Sequence, residues 1–444
     1  MKKVTFLNHA SVLIQNGDNI IMTDPWYKKP AFGSWLSVPP CIYHPAYFIA
    51  LAKSNPKFNI LISHGHDDHF DDEFLSCLPE YTNVLIPKYD SPGPKKRLEK
   101  CGIKNIIEFD SVGIIHNEIE YKSFIFKNVS MDDAFITIST NEFIVAHGND
   151  NWQKLPNNVL NIIKKDFAKY SKSNRLFMSQ TNMADGYPLI YTNFSEEEKN
   201  KKVKERQDNM ILTSIKNAID IESGAFISYA GMALPFIKGQ EHLLNDAYCK
   251  SIDYINQLLK INNIDTDIVL DMIPGDSYDF KKIDKLFGKQ YYNHNDIKDS
   301  TIDFYRKYNW DKNCNTYQNV MHIGDTEKTR LLNLFMDNFK LFVNNKFKKT
   351  NKFQKDIFNT KLTFKDGIIE KTISFSENAS IHVTMLFDII PLDKILIGEL
   401  NWEVSHVGYE SRVHINGDYH IGALIRYLTM YGYVYQQQIY LKNN

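Results

Sequence analysis

The chain has 444 residues and a formal net charge of -1 at pH 7, with 52 Lys and Arg against 53 Asp and Glu. Hydrophobic residues make up 43% of it and aromatic residues 13%, which is typical of an ordered globular protein and excludes a largely disordered chain. Because no excess of positive charge would attract polyanions, we expect neither nucleic acid nor a membrane surface as a partner.

The cysteines are an odd number, five, spread over a long chain, which indicates free thiols in a reducing compartment. No run of about 20 apolar residues is present, and the apolar start of the chain is interrupted at once by Asn8 and His9, unlike a signal peptide. We therefore expect a soluble, cytoplasmic protein.

Short apolar runs separated by turn residues predict that the first third of the chain is rich in strands. Amphipathic segments such as Asp71–Leu78 and Pro94–Gly102 lie between several of these runs. Strands that alternate with helices predict a layered α/β domain. The predicted strands are Val4–Leu7, Ser11–Gln15, Ile20–Thr23, Asn59–Ser63, Val84–Pro87, Ile106–Phe109, Glu118–Phe126, Ala134–Thr140 and Glu142–Ala146.

After Trp152 the periodicity predicts longer helices, and two further buried strands are predicted between them, followed by a third at Asp267–Asp271. A change of composition near Tyr291 places a domain boundary near residue 295, so we predict domains 1–294 and 295–444. The second is expected to be a smaller α+β domain. The predicted elements are the helices Leu155–Tyr170, Ser195–Ile221 and Gln240–Asn262, and the strands Arg175–Ser179, Ala225–Tyr229, Glu370–Phe375 and Ile381–Phe387.

Three histidines and several carboxylates follow the predicted strand Asn59–Ser63 within a few residues. Imidazole nitrogens bind zinc, iron or manganese, and alternate residues of an extended chain point the same way. His64 and His66 can therefore bind one ion, while Asp68 and His69 reach toward a second. The segment predicts a site for one or two divalent metal ions.

The sequence His-Gly-His-Asp-Asp-His at 64–69 resembles the H-x-H-x-D-H signature of the metallo-β-lactamase superfamily. That resemblance implies a four-layer αββα sandwich with metals at the sheet edges. It also implies that Asp24 supports the histidine loop and that Asp150 is a ligand shared between two metals. His147 is expected beside the site and not among its ligands.

Two ligands of that family have no histidine counterpart in this chain. Before the strand Ala134–Thr140 the chain has Asp132 and Asp133, and we expect one of them, with Asp133 preferred, to replace a histidine. After Ala225–Tyr229 no histidine follows. A single-metal or iron site is therefore an alternative to a two-zinc site.

Two more residues are candidates for contact with the metal or substrate. His9 follows the first predicted strand, and Asp276 follows an apolar run that ends in Pro274 and Gly275. We expect these residues, with Asp24 and His147, to support the ligands or to bind substrate.

A narrower resemblance links most of the chain to the catalytic region of the CMP-N-acetylneuraminate hydroxylase family. That family also carries a Rieske iron–sulfur domain, which needs C-x-H and C-x-x-H pairs. Cys41 and His44 have the second spacing, but no C-x-H pair is present, so we expect no Rieske cluster in this chain. The segments that carry the resemblance are 29–35, 39–40, 131–134, 186–189, 194–199, 229–233, 274–276, 400–403, 408–414 and 418–420.

Our leading functional hypothesis is a metal-dependent hydrolase that attacks an ester, lactone or phosphodiester of a small molecule with metal-activated water. Asp68 would orient or deprotonate that water. The alternative is a non-haem iron oxygenase that acts on a sialic-acid-like sugar nucleotide, with a separate electron-transfer protein as its partner. A third possibility is a non-enzymatic protein that keeps only the remains of a metal site.

Overall fold

The computed structural model describes residues 2–27, 30–125, 133–237, 243, 249–281, 286–287, 294–307, 323–346, 352–388, 392–398, 400–417, 419 and 421–443. The strands in chain order are β1 (Lys2–Asn8), β2 (Ser11–Asn16), β3 (Asn19–Thr23), β4 (Trp35–Ser37), β5 (Phe58–Leu61), β6 (Asn83–Pro87), β7 (Asn105–Phe109), β8 (Ile114–His116), β9 (Ile119–Ile125), β10 (Ala134–Ser139), β11 (Ile144–His147), β12 (Arg175–Gln180), β13 (Ala225–Tyr229), β14 (Ala233–Pro235), β15 (Val269–Leu270), β16 (Ser277–Asp279), β17 (Leu286–Phe287), β18 (Thr360–Asp366), β19 (Ile369–Ser374), β20 (Ile381–Leu386) and β21 (Arg412–Ile415). The helices are α1 (Pro45–Ser54), α2 (Asp72–Leu75), α3 (Gly93–Lys100), α4 (Asn157–Phe167), α5 (Glu196–Asp220), α6 (Ile252–Ile261), α7 (His294–Lys307), α8 (Asp325–Lys346), α9 (Lys352–Phe358), α10 (Leu392–Leu396), α11 (Glu403–His406) and α12 (Gly422–Asn443).

Two large mixed sheets organise the first two thirds of the chain. One has the order β17-β16-β1-β2-β3-β5-β6-β7, and the other has the order β15-β13-β12-β11-β10-β9-β8. In each sheet a parallel run adjoins antiparallel strands: β3, β5, β6 and β7 are parallel in the first, and β11, β12, β13 and β15 are parallel in the second. Loops that leave the carboxyl ends of these strands carry the polar residues described below.

Each sheet buries both of its faces, because successive strand residues point to opposite sides. In β5, Leu61 lies in the central hydrophobic cluster between the sheets, whereas Ile60 packs with residues of α1, α2 and α3. In β11, Val145 lies in the central cluster, whereas Ala146 packs with residues of α4, α5 and α6. The order helix, sheet, sheet, helix confirms the predicted four-layer αββα sandwich.

The carboxyl-terminal third adds a four-stranded sheet of order β19-β18-β20-β21 together with helices, as the predicted α+β character requires. Its apolar residues Phe335 and Trp402 belong to the same hydrophobic cluster as the inner faces of the sandwich. The boundary near residue 295 stays a prediction.

Most predicted elements are present within one to three residues of their expected ends, and some differ. Helix α1, whose first turn is capped by the His44 side chain, is absent from the sequence prediction, as are α8 and β18. Of the predicted helix Gln240–Asn262, the structure has α6, and residues 240–242 and 244–248 lie outside the described residues. Among the described residues, no helix combines the length and apolarity needed to cross a membrane.

Candidate metal centre

The histidine loop begins where β5 ends and is fixed at its start by Asp24. One carboxylate oxygen of Asp24 accepts a hydrogen bond from the Ser63 backbone N–H, and the other accepts one from the Ser63 hydroxyl, both at 2.7 Å. The Asp24 oxygen Oδ2 also lies 2.9 Å from Nδ1 of His69. Because Ser63 directly precedes His64, Asp24 contacts both ends of the loop at once, and its role in supporting metal ligands stays a prediction.

On its other side the loop is held by Arg97 of α3. The guanidinium group pairs with both carboxylate oxygens of Asp72, at 2.8 and 2.6 Å, and reaches Asp67 at 2.9 Å. It also donates to the carbonyl oxygen of Gly65 at 2.5 Å. A planar, permanently charged group with several donors is suited to fixing a turn of this kind.

Three side chains form a first cluster of donor atoms. Nε2 of His64 lies 2.7 Å from Nδ1 of His66 and 3.7 Å from Oδ1 of Asp133. Asp133 directly precedes β10, in the position where the family resemblance leads one to expect a histidine. Asp132, the other candidate for that position, lies outside the described residues. These atoms all lie within 4.8 Å of one another, a spacing at which one ion can bind them together.

A second cluster lies beside the first. Nε2 of His69 is 3.7 Å from Oδ2 of Asp68, and the same oxygen is 3.0 Å from Nε2 of His9. His9 sits in the tight turn between β1 and β2 with a positive φ of 29°, and its ring packs edge-on against Trp26. The first sheet therefore supplies three of the predicted residues to one point.

Asp150, in the loop after β11, connects the two clusters. Its Oδ2 lies 3.6 Å from Nε2 of His64, and its Oδ1 lies 3.2 Å from Nε2 of His69. The two oxygens thus face donor atoms of different clusters. This is the arrangement expected of a carboxylate shared by two metal ions.

The remaining two candidates lie outside the clusters formed by the described residues. Nε2 of His147 is 3.5 Å from Oδ2 of Asp24 and 2.9 Å from the hydroxyl of Tyr229, so His147 packs behind the supporting carboxylate. Asp276 occupies a turn before β16, where its side chain accepts a hydrogen bond from the backbone of Ile273.

Several buried donor atoms fit a bound cation. Nε2 of His69, Oδ1 of Asp68 and Nδ1 of His9 are enclosed and have no hydrogen-bond partner. A buried polar atom without a partner is costly, and native structures seldom keep one without a ligand, an ion or water to satisfy it. Together with the carboxylates around them, His69 and Asp68 form a donor set suited to a divalent metal.

The ionisable groups perturb one another strongly. Burial, together with the neighbouring histidines, lowers the pKa of His64 well below its usual value, so its ring is neutral and able to bind a metal. Burial also opposes charge on His69, but Asp150, Asp68 and Asp24 outweigh it and raise the pKa of His69 well above the usual value. The pKa of Asp68 is lowered, despite its burial, by His69 and His9. The carboxylates therefore favour positive charge at the position of His69, whereas His64 is kept neutral.

A further carboxylate reaches this site from the carboxyl-terminal third. Oε1 of Glu403, the first residue of α11, lies 3.8 Å from Nε2 of His66. Sequence reasoning places Glu403 only in a segment that resembles the hydroxylase family and gives it no role. Nothing in the spacing along the chain could show that this residue meets the histidine loop.

The chain is similar to known proteins both in one domain and in a longer part of its sequence. Residues 3–134 match the family model described as "Beta-lactamase superfamily domain". The chain is 29% identical over 248 residues to cytidine monophosphate-N-acetylneuraminic acid hydroxylase of Asterias rubens, in a match that covers 52% of this chain and 34% of that protein. The predicted resemblances to the metallo-β-lactamase superfamily and to the hydroxylase family are thereby confirmed.

Two solved structures show a looser likeness. CmlA, a diiron β-hydroxylase from Streptomyces venezuelae, is 13% identical with a TM-score of 0.40, over 62% of this chain and 53% of that chain. An isothiocyanate hydrolase from Delia radicum gut bacteria is 10% identical with a TM-score of 0.39, over 62% of this chain and 97% of that chain. The chain spans less than half the length of the first curated relatives that it matches.

Proposed function

We propose that the chain is a metalloenzyme with an iron-type centre that hydroxylates a small molecule with O₂. The observation that carries this proposal is the composition of the donor clusters: the first (His64, His66, Asp133) and the second (His9, Asp68, His69) each contain two histidines and one carboxylate, as does the group of His64, His69 and Asp150 that overlaps both. Two histidines and a carboxylate with open positions are the ligand set of non-haem Fe(II) oxygenases, whereas zinc hydrolases of this fold use more histidines. The same composition is the reason to rank the oxygenase above the hydrolase, which is the leading hypothesis from sequence.

In this proposal His64, His66 and Asp133 would hold one ion, and His9, Asp68 and His69 would hold a second. Asp150, which faces both clusters, would be available to either ion. Iron in such a set supplies the activation of O₂. Among the chain's own residues, Asp24 would orient the loop, and the burial of His64, Asp68, His69 and Asp133 limits the access of bulk water to the site. Zinc and manganese remain the other metals that the donor types allow.

The names of the relatives indicate which class of substrate to test first. The Asterias rubens relative is named for hydroxylation of cytidine monophosphate-N-acetylneuraminic acid. We therefore propose a sialic-acid-like sugar nucleotide as the substrate class of this chain, with electrons supplied by a separate electron-transfer protein.

Hydrolysis is the second candidate, and the state of Asp68 favours it. This carboxylate is buried, has a lowered pKa and keeps one oxygen without a hydrogen-bond partner. Such a group stays ionised at neutral pH and can accept a hydrogen bond from a water molecule and so orient it, while a bound metal would lower the pKa of that water toward about 7.

The deciding experiment measures metal content and O₂ dependence together. Protein purified from cells supplied with both iron and zinc is analysed for metal atoms per chain. It is then mixed with cytidine monophosphate-N-acetylneuraminic acid and a reductant, with and without O₂. We expect bound iron and a product one oxygen atom heavier, formed only with O₂. Tight zinc, with O₂-independent turnover of an ester or phosphodiester, would replace the oxygenase with the hydrolase.

The matched control removes two proposed ligands. The double variant His64→Ala/His66→Ala should lose metal and turnover together, because the first cluster then keeps only Asp133 and Asp150. A double variant that keeps its metal and its activity would show that the ligand assignment is wrong.

A further inference from the structure

We infer that Glu403 is a positioning residue of the metal centre: its carboxylate faces the outer nitrogen of His66 at ion-pair distance and so orients that ring toward the metal. This inference rests on the proposed metal centre and deepens it. It makes the carboxyl-terminal third of the chain part of the site, although all the proposed ligands come from residues before 151.

The two nitrogens of His66 face different partners. Nδ1 lies 2.7 Å from Nε2 of His64, on the side where the donor atoms converge. Nε2 lies 3.8 Å from Oε1 of Glu403, on the other side. A neutral imidazole has one N–H, and a hydrogen bond from one nitrogen leaves the lone pair on the other. A carboxylate at Nε2 therefore keeps Nδ1 free to bind a metal, as is usual for metal-binding histidines.

Glu403 is held in this place by its own segment. The side chain of Asn401 accepts hydrogen bonds from the backbone N–H groups of Glu403, at 2.9 Å, and Val404, at 3.3 Å. Trp402, which lies between Asn401 and Glu403 in the sequence, is fully buried, with its ring 4.8 Å from that of Phe335 and 5.0 Å from that of Phe364. The start of α11 is thus anchored in the hydrophobic cluster, and Glu403 is not a loose surface side chain.

The end of α11 is joined to the loop that lies over the histidines. The hydroxyl of Ser34 donates to the carbonyl of Gly408 at 2.7 Å, and the indole N–H of Trp35 donates to the carbonyl of Val407 at 2.8 Å. In the same loop, the ring of Phe32 lies 6.0 Å from that of His66. Both ends of α11 are therefore fixed, its start by the hydrophobic cluster and its end by the loop over the histidines. This fixes the position of Glu403 relative to His66.

Direct ligation by Glu403 is the competing explanation, and the geometry is against it. Glu403 is in none of the metal-binding clusters formed by the described residues, and it approaches the nitrogen of His66 that points away from His64. Its carboxylate is four-fifths enclosed, which favours a fixed partner over free solvation.

The test uses Co²⁺ as the probe and affinity as the readout. The full-length Glu403→Gln variant should bind Co²⁺ about 10- to 100-fold more weakly than the wild type in competition with a chromophoric chelator, because the amide lacks the charge that polarises His66. The absorption bands of bound Co²⁺, which report the geometry of its ligands, should also shift. Unfolding of the metal-free variant should match that of the wild type. Glu370→Gln, at an exposed carboxylate of β19, is the matched control and should change neither.

A second comparison separates action through His66 from a general effect. In a His66→Ala background, Glu403→Gln should cause no further loss of Co²⁺ affinity. An equal loss in both backgrounds would overturn the inference, and so would wild-type affinity and spectrum in Glu403→Gln. Failure of the wild type itself to bind Co²⁺ would instead overturn the proposed metal centre.

Discussion

Asp24 shows how much of the centre depends on one side chain that binds no metal in our proposal. It is fully buried, sits at a positive φ of 39°, and contacts Ser63, His69 and His147. A strained backbone conformation persists where surrounding contacts over-determine it, which is common at functional sites. The family resemblance predicts that Asp24 supports the histidine loop, and the structure adds the two hydrogen bonds from Ser63 through which it would do so.

The variant Asp24→Asn should weaken metal binding about 10- to 100-fold, because one accepting oxygen is replaced by a donor that faces Ser63 and His69. It should also lower the free energy of unfolding by about 1–3 kcal/mol, because a buried donor of Ser63 loses its partner. Chelator competition and urea unfolding measure the two effects. Asp18→Asn, in an exposed turn, is the control, and wild-type metal affinity in Asp24→Asn would contradict the expectation.

Arg97 is the counterpart of Asp24 on the other side of the loop. We expect Arg97→Lys to lower the free energy of unfolding by about 1–2 kcal/mol, because an ammonium group cannot pair with both oxygens of Asp72 and also reach Asp67 and Gly65.

Urea unfolding tests this expectation. Arg330→Lys is the control, since Arg330 pairs with Glu327 on an exposed helix surface, where water screens the charges and the loss of such a pair has little effect on stability. An equal decrease in the free energy of unfolding in the two variants would show that the contacts of Arg97 in the loop contribute no more to stability than an exposed ion pair does.

At the scale of elements, α11 depends on close backbone packing at Gly408. A Cβ atom there would lie 2.3 Å from the carbonyl oxygen of Phe32 and 2.4 Å from that of Val404. Gly408→Ala must therefore push α11 away from the loop over the histidines. We expect weaker Co²⁺ binding than in the wild type, measured by chelator competition, as Glu403 moves away from His66.

Gly324→Ala is the control for this variant, because a Cβ atom at Gly324 meets nothing within 4 Å. If Gly408→Ala folds and binds Co²⁺ as tightly as the wild type, the packing of α11 does not set the position of Glu403.

Helix α4 is attached to β9 by an ion pair whose effect depends on pH. Asp166 lies 2.8 Å from Lys122 and 2.6 Å from Lys169, and these lysines outweigh its burial and lower its pKa. A lowered pKa in the folded state stabilises the protein above the ordinary carboxyl value of about 3.9, and this contribution is lost as the pH falls through the folded value.

Asp166→Asn should therefore reduce the free energy of unfolding by about 1–2 kcal/mol at neutral pH and by progressively less below about pH 4. Urea unfolding of the variant and the wild type across this range measures the difference. A difference that stays constant down to about pH 3 would contradict the assignment to the Asp166 charge.

The elements that sequence predicts well are those whose patterns are local. The apolar run that forms β5 and the dense histidines after it stand next to each other in the sequence, so both the strand and the loop are predictable. In β18, Thr360, Leu362 and Phe364 are buried and alternate with more exposed residues, but the surrounding lysine-rich composition hides that alternation.

The parts of the site that are distant in sequence are predictable only through resemblance or not at all. Asp150 is predicted from a motif of the family, and Asp133 from its place where that family has a histidine. Glu403 meets His66 only because the carboxyl-terminal third packs against the sandwich. No periodicity or spacing encodes such a contact.

At the scale of the whole molecule, the proposed ligands come from both sheets, since Asp68 and His69 follow β5, Asp133 precedes β10 and Asp150 follows β11. A metal that binds only the folded state stabilises it by about 4 kcal/mol when its free concentration is about 1,000 times Kd. We therefore expect added Co²⁺ to raise the midpoint of thermal unfolding.

Calorimetry with and without chelator measures the rise in the midpoint of thermal unfolding that Co²⁺ causes. This rise should be small in the His64→Ala/His66→Ala variant. A shift of equal size in that variant would mean that Co²⁺ stabilises the chain from another place.

The shared hydrophobic cluster limits how segments of this chain can be exchanged with those of relatives, both in engineered chimaeras and in evolution by recombination. Because Phe335 and Trp402 lie in the same cluster as the inner faces of the sandwich, the carboxyl-terminal third is not an exchangeable module. A chimaera that takes this third from a relative must also take the matching loop from Phe32 to Trp35, or the two surfaces will not fit. Successful exchanges within this family should therefore carry both segments together.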